Sequence, residues 1–535
     1  MSGNEPGVQA PQDAGDTSGG RGSADRLDAP RGASSVPSRG RAAVAGLVAV
    51  VAGAGIGELA AAIFASAASP FGSIGGVAVD LAPAWAKELA ISLFYTNDKN
   101  ALLVGIALVL LAVGAAAGFV ERRVPYAGRA IVGALGLVGI AAAWTRENAP
   151  ELFWAPSLIA GAVGFVALGL LLPRRAAGSG EGPSRRAFVI GSAAAAAAGL
   201  VGAAVASGIR SGARAVQAVR DAVSLPAATT TADVPAGAEL GIDGLAPVVT
   251  PNSDFYRIDT ALVVPEIDPA SWSLRIHGLV ENEVTITWDE LLALPLEESA
   301  VTLSCVSNQV GGDLVGNAVW LGYPIRELLR RAVPSADADM VLSRSHDGFT
   351  AGTPIEALTD DRDAILAVAM NGEPLPLEHG FPVRMVVPGL YGYVSATKWV
   401  TELEVTRFDA DRAYWTDRGW DERGPIKLQS RIDVPHSRDV DAGEQVIAGV
   451  AWQPHTGVAG VEVQVDDGPW RPAALASAIS QDTWVQWSLP WDARPGDHVI
   501  RCRATSAAGE RQTSELAAPA PNGASGWHTI EVSVG

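Results

Sequence analysis

Five apolar stretches crowd the first 210 residues of this 535-residue chain, roughly Ala42–Ser69, Ala101–Val120, Tyr126–Trp144, Trp154–Leu172 and Ala187–Ile209. Each is close to the ~20 residues an α-helix needs to cross a bilayer. They lift the mean hydropathy of the whole chain to +0.21, and the expectation is a five-helix transmembrane anchor over residues 42–210. Trp144, Phe153 and Trp154 fall where interfacial aromatics belong. Arg129 can snorkel from the end of the third stretch. Arginines fix the orientation: Arg21, Arg26, Arg31, Arg39 and Arg41 precede the first stretch. Arg122, Arg123 and Arg129 follow the second, and Arg174, Arg175, Arg185 and Arg186 separate the fourth from the fifth. By the positive-inside rule the N-terminus is cytoplasmic. Five spans then place everything after Ile209 on the outer face. The expected location is a bacterial cytoplasmic membrane, crossed several times and in contact with lipid.

Flanking segments differ in kind. Residues 1–41, rich in Gly, Ser, Pro, Asp and Arg, cannot bury enough apolar surface to offset ordering entropy and read as a disordered cytoplasmic tail. The segment Phe71–Asn100, with Val77, Leu81, Trp85, Leu89 and Leu93 among polar residues, reads as an amphipathic helix on the outer surface. Glu58 lies well inside the first stretch, where an acid serves either a function or a helix end. Pro183-Ser184-Arg185-Arg186-Ala187-Phe188 resembles a twin-arginine export signal, and paired arginines before a span also satisfy the charge rule. Residues 211–245, with Gly, Ala, Thr, Pro226 and Pro235, read as a linker.

Several chemistries are excluded or disfavoured. A net charge of −19 argues against nucleic acid as a partner. Two cysteines, Cys305 and Cys502, cannot supply the four ligands of an ordinary iron–sulfur cluster. The first of seven histidines is His277, so no span can ligate heme through His. No heme or iron–sulfur cluster is expected in this chain, and its redox partner is unidentified.

The chemistry gathers after residue 246. Val301-Thr302-Leu303-Ser304-Cys305 reads as a strand running into a loop with Cys305 at its mouth. Such a thiol is either apolar filler or a soft ligand for a heavy metal. Thr302-Leu303-Ser304-Cys305-Val306-Ser307-Asn308, followed by Trp320-Leu321-Gly322-Tyr323-Pro324, resembles the molybdopterin domain of the sulfite-oxidase family. Thr250-Pro251-Asn252 with Phe255-Tyr256-Arg257 resembles that family's first cofactor segment. Met370-Asn371-Gly372-Glu373-Pro374-Leu375-Pro376, His379-Gly380-Phe381-Pro382-Val383-Arg384, Val387-Pro388-Gly389 and Lys398-Trp399 extend the likeness over about residues 247–435.

The resemblance implies an α+β catalytic domain over 246–437 that binds a molybdenum–molybdopterin cofactor, with Cys305 as the protein ligand to the metal. It implies cofactor contacts from Phe255, Tyr256, Arg257, Ser345, Asp347, His379, Arg384 and the loop Ser395, Ala396, Thr397, Lys398. Fixed cations suit a pterin phosphate, and Arg384 and Lys398 supply them. Asn308 and Gln309 fall at the substrate pocket. Two departures bear on the substrate. Gln309 stands where animal and plant sulfite oxidases carry an anion-binding Arg, and Arg257 is shifted by one place from the family's Arg-Asn-His.

Short alternating segments and Gly/Pro turns over 438–535 predict a β-sandwich. It resembles the immunoglobulin-like domain that makes homodimers in this family, and Cys502 alternates into its core with Ile500 and Ala504. The implied reaction is two-electron oxygen-atom transfer on a small sulfur-containing or similar substrate. The alternatives are reduction of methionine sulfoxide or other S-oxides in exported proteins, and a membrane-tethered binding or scaffold protein without turnover.

Overall fold

The computed structural model describes residues 38–64, 68–83, 98–145, 151–173, 184–209, 213–261 and 263–535. The expected tail lies outside them up to residue 37, as do Arg174 and Arg175. The N-terminal region is a helical bundle: α1 (Arg39–Phe64), α2 (Pro70–Leu81), α3 (Asp98–Arg123), α4 (Ala127–Trp144), α5 (Ala155–Leu171) and α6 (Arg185–Ile209). Helix α1 starts inside the expected tail, at Arg39. Among the described residues, α1, α3, α4 and α6 are long and apolar enough to cross a membrane, whereas α5, with 17 residues, is shorter.

Small residues let these helices touch backbone to backbone. A Cβ on Gly46 of α1 would lie 1.8 Å from the Gly114 carbonyl oxygen of α3, and one on Gly55 would lie 1.8 Å from that of Gly199 on α6. Lipid tails are as apolar as leucine, so such close packing, rather than hydrophobic burial, holds helices together in a bilayer.

The structure corrects the reading of 71–100. Helix α2 begins at Pro70 and packs within the bundle against α1 and α4 instead of lying on a surface; residues 84–97 of that segment, including Trp85, Leu89 and Leu93, lie outside the described residues. Glu58 explains the docking: its carboxylate accepts from the Ser69 hydroxyl at 2.9 Å and from the Phe71 N–H at 2.9 Å. The acid thus satisfies donors at a helix start that would otherwise lie unpaired within an apolar bundle.

The 211–245 linker is also corrected. Helix α7 (Ala213–Ala222) opens it, and Arg220 donates to the carbonyls of Pro374 (2.7 Å) and Leu375 (2.9 Å). Thr229 N–H donates to Leu296 O, and Leu240 N–H to Gln486 Oε1. The segment is an ordered strap across both following domains.

The catalytic domain is built on two sheets. The outer one joins β1 (Ser273–Gly278), β2 (Val284–Thr287), β5 (Met340–Ser345), β6 (Thr350–Pro354) and β10 (Val400–Thr406) in the order β2-β1-β10-β5-β6. The inner one runs β3 (Glu297–Ser304), β4 (Val315–Pro324), β7 (Ile365–Met370), β8 (Glu373–Pro374), with β9 (Arg384–Val386) also paired to β7. Every residue of β7 is buried, as a strand covered on both faces requires. A Thr287–Glu290 capping box starts the helix Trp288–Leu292 and turns Trp288 into the core. Trp320 and Phe381, both fully buried, share one core cluster with Val301 and Leu303 of β3.

Two further sheets follow and begin at Gln429, so the C-terminal domain starts inside the span 246–437 expected for the catalytic domain. One is β11 (Gln429–Val434), β13 (Gly443–Trp452), β17 (Val485–Ala493) and β16 (Ala474–Leu475). The other is β12 (Asp439–Val440), β19 (Thr529–Val534), β18 (Gly496–Ser506), β14 (Val458–Val465) and β15 (Arg471–Pro472). They share one core of Trp487, Val463, Ile500, Ala504 and Cys502, so Cys502 points inward as its alternation predicts.

Candidate active site

Strand β3 ends at Ser304 and delivers Cys305 into a tight loop. The loop closes on itself: Cys305 N–H donates to Leu314 O (2.9 Å), Asn308 N–H to Cys305 O (3.0 Å), and Leu314 N–H to the Asn308 side-chain oxygen (2.9 Å). Asn308 is therefore spent as the loop's internal staple, while Gln309 is exposed. The Cys305 thiol is buried, which pushes its pKa up; the Ser307 N–H and hydroxyl, and the charge of Lys398, work the other way. Burial wins, so the group is a thiol here; the two Ser307 donors and Lys398 are the groups that would support its thiolate as a soft ligand once a metal displaces the proton.

Around it lie the expected cofactor residues. Phe255 is buried, stacks on Tyr256 (centroids 5.2 Å apart) and meets the edges of Trp320 and His379. Tyr256 has its pKa raised by burial and by Cys305. Arg257 and Lys398 both engage Asp259, at 3.1 and 2.6 Å, and Lys398 also donates to Glu378 O. Arg384 is 5% exposed. It donates to the His379 and Met385 carbonyls, and its guanidinium lies 4.9 Å from the Trp320 ring centroid. Burial lowers its pKa to about 10, so it stays charged at neutral pH. Among the described residues it has no carboxylate partner.

The remaining expected residues divide. The Ser345 hydroxyl donates to Asp347, whose pKa is raised by burial and, to a smaller extent, by Asp259, which ties this turn to the cation cluster. The Ser395 hydroxyl donates to the Leu390 and Tyr391 carbonyls, and Thr397 Oγ1 pairs with Ser343 Oγ at 2.7 Å. Both hydroxyls are spent inside the protein, and Ala396 caps the short helix Gly392–Ser395. From this loop Lys398 is the side chain turned to the cluster.

His379 is pushed down to about 3 by burial, then by Lys398 and Arg384. It is neutral, and because Nε2 faces the Asn252 carbonyl at 3.3 Å, that nitrogen carries the hydrogen and Nδ1 is left as an acceptor.

Sequence reasoning missed what the second β domain adds. Arg431 Nη1 donates to Gly312 O (2.9 Å) while its Nε holds Asp433 at 2.6 Å. The His528 ring packs so closely on Gly311 that a Cβ there would lie 2.2 Å from it. His528 Nδ1 accepts from Ile432 N–H and is pushed down to about 4 by burial and Arg431. Tyr391, 3% exposed, has its pKa raised by burial and, to a smaller extent, by Cys305, and it fits against Gly523, where a Cβ would meet its hydroxyl at 2.4 Å. Trp527-His528 carries no local signal of this role; Tyr391 does, lying two residues beyond Val387-Pro388-Gly389.

Two neutral buried histidines make stability fall with acid. Their folded pKa values lie below the ordinary 6.5, so between about 6.5 and 4 the unfolded chain binds protons that the folded chain does not. Each such proton contributes ~1.4 kcal/mol per pH unit, so these two histidines lower stability by about 2 kcal/mol from pH 6 to 5. Denaturant unfolding followed by tryptophan fluorescence is expected to show this slope, reduced by about half of that contribution in His379→Gln. An unchanged slope in that variant rules the assignment out.

The donor set fits a molybdenum–pterin group. The buried Lys398 and the partly exposed Arg257 converge on Asp259, and buried Arg384 has no carboxylate partner among the described residues, a placement that is costly unless an anion joins it. The soft Cys305 thiol beside this cluster supplies what a heavy metal needs.

Comparison with known proteins agrees. Residues 261–415 match the oxidoreductase molybdopterin binding domain family. The chain is 32% identical over 180 residues to the uncharacterized oxidoreductase YuiH of Bacillus subtilis, covering 33% of this chain and 87% of that protein. It is 31% identical over 240 residues to the mitochondrial sulfite oxidase of Drosophila melanogaster, covering 41% of this chain. The matched region spans only 40% of the Drosophila enzyme. The sulfane dehydrogenase SoxCD of Paracoccus pantotrophus is a structural neighbour at TM-score 0.47 and 23% identity, covering 55% of this chain and 82% of that one. The chain belongs to the sulfite-oxidase-type molybdopterin oxidoreductases. It is an oxidoreductase with a molybdopterin-binding domain.

Proposed function

We propose that the protein is a membrane-anchored enzyme that transfers an oxygen atom to or from a small uncharged sulfur compound, with Cys305 as the protein ligand to molybdenum. The observation that carries this is the buried Cys305 thiol beside Arg384, a buried cation with no carboxylate partner among the described residues, and beside Lys398 and Arg257, which both engage Asp259. When bound, the cofactor supplies two-electron transfer of oxygen between water and the substrate sulfur. The chain's residues do the rest. Arg384, Lys398 and Arg257 would hold the anionic end of the cofactor. His379 Nδ1 accepts a hydrogen bond and Phe255 and Tyr256 wall one side. The Ser307 donors favour the thiolate of Cys305. Arg431 and His528 brace the 309–314 loop, and Tyr391 closes the mouth against bulk water.

A second reading, S-oxide reduction in exported proteins, is favoured by the electrostatics of the mouth. The arginine bracing its loop, Arg431, is neutralised by Asp433, and Gln309 carries no charge. A sulfite dianion needs charge-assisted hydrogen bonds worth roughly 1.5–3 kcal/mol each. One such bond corresponds to about one to two orders of magnitude in affinity. Sulfite is therefore expected to show a high KM that falls markedly in Gln309→Arg, while methionine sulfoxide is little affected. Micromolar KM for sulfite in the wild type overturns this substrate assignment. Metal analysis separates both enzyme readings from a scaffold without turnover: purified protein without molybdenum is the scaffold's result.

With the 17-residue α5 counted as a fifth span beside the four longer helices, the cytoplasmic N-terminus implied by the arginines puts the catalytic domain on the extracytoplasmic face of a bacterial cytoplasmic membrane. Arg185 and Arg186, both exposed at the start of α6, suit a signal for exporting an already folded, cofactor-loaded domain. The C-terminal domain is read as immunoglobulin-like and as the homodimer surface.

A further inference from the structure

A second cluster of ligating side chains lies on the outer sheet, apart from the Cys305 pocket. Strands β1 and β10 run parallel, with His277 opposite Glu404 and Arg275 opposite Glu402. Successive side chains of a strand alternate between faces, so Glu402 and Glu404 project on the same side, beside His277. One ligand atom from each of the three lies within 4.8 Å of the others, and all three residues are half-buried. Glu402 is engaged by His277 Nε2 and by Arg344 Nε at 3.1 Å. The neighbouring Arg275 is held by Glu283 at 2.9 Å. Glu404 has no hydrogen bond or ion pair from its side chain among the described residues. Glu404 thus sets a second half-buried carboxylate beside Glu402 with its oxygens uncommitted to any described side chain, open to a cation that His277 and Glu402 can also reach.

We propose that His277, Glu402 and Glu404 form a binding site for a divalent transition-metal ion of the zinc type, separate from the molybdenum centre. One imidazole and two carboxylates are a donor set that suits zinc, with water in the fourth position, whereas the imidazole disfavours Mg²⁺ and Ca²⁺. The ion cross-links β1 to β10, the strand that begins two residues after Lys398. It thereby steadies the strand leaving the cofactor loop.

The test uses full-length protein in detergent, stripped with chelator, in a Cys305→Ser background so that no active-site thiol competes for the ion. Equilibrium dialysis against Zn²⁺ is expected to give one ion per chain, undisturbed by millimolar Mg²⁺. Glu404→Gln removes the unpartnered carboxylate and leaves the His277–Glu402–Arg344 contacts. It is expected to weaken binding at least about ten-fold, as losing a ligand or its supporting partner does. Its melting temperature in chelator should equal that of the background protein, while Zn²⁺ raises only the latter. His277→Gln should weaken binding similarly. The absence of stoichiometric Zn²⁺ in the background protein, or equal affinity in Glu404→Gln, overturns the proposal.

Discussion

Cys305→Ser is expected to leave a folded protein that has lost turnover by well over ~100-fold, since even partners behind a metal ligand change activity or affinity by 10–100-fold. The substitution is nearly isosteric. A serine hydroxyl at this position can still accept from the Ser307 donors that now serve the thiol, so the loop stapled by Asn308 has no reason to open. What changes is the ligand chemistry. A hydroxyl is hard and stays protonated at neutral pH, whereas a thiolate is soft and donates charge to a heavy metal. Cys502 provides the control. It is fully buried between the second domain's sheets and contacts Ser430 Oγ at 3.2 Å. Burial pushes its pKa up to about 12. Cys502→Ser should cost some stability and no chemistry. Turnover per bound molybdenum above a tenth of wild type in Cys305→Ser would sink the ligand assignment.

The parts legible in the sequence are those whose signal is local. Long apolar runs give α1, α3, α4 and α6 directly. Helix α2 reads as a surface helix rather than part of the bundle because its 12 residues, four of them Gly or Pro, leave no long apolar window, and its anchor, Glu58, lies on another helix. The 211–245 strap reads as a linker because its composition is that of one. Its order comes from partners 66 to 247 positions away, such as Glu298 with Ala232 and Glu239 with Gln486. The same division runs through the site. His379, Arg384 and Lys398 stand in short motifs and are found from them. Asp259, which Lys398 and Arg257 both engage, has no motif. Arg431 and His528 come from a domain more than a hundred residues downstream of Cys305, and only the folded chain brings them to its loop. The hydroxyls of Ser395 and Thr397 show the converse, since a motif names a loop but not which of its side chains turn inward.

Arg384 distinguishes a cofactor cradle from a structural ion pair, because the two give opposite signs on substitution. A structural pair loses stability when its cation is removed, typically by 3–5 kcal/mol where the partner acid stays buried. Here no partner acid is left behind, since Arg384 is held by two carbonyls and the face of Trp320. In Arg384→Met the two hydrogen bonds to carbonyls are lost, worth about 1 kcal/mol each. The desolvation of an unmatched buried cation, several kcal/mol, is relieved at the same time. The cation term is the larger, so the cofactor-free variant should melt no lower than cofactor-free wild type. Cofactor retention moves the other way. Each charge-assisted bond to a phosphate contributes roughly 1.5–3 kcal/mol, and losing one weakens binding about ten- to hundred-fold. Pterin and molybdenum content after gel filtration should fall accordingly. Arg384→Lys should retain an intermediate amount, because a lysine keeps the charge but not the planar fork. If Arg384→Met destabilises the cofactor-free protein by several kcal/mol while its pterin content stays at the wild-type level, the guanidinium is a structural element and the anion-cradle reading fails.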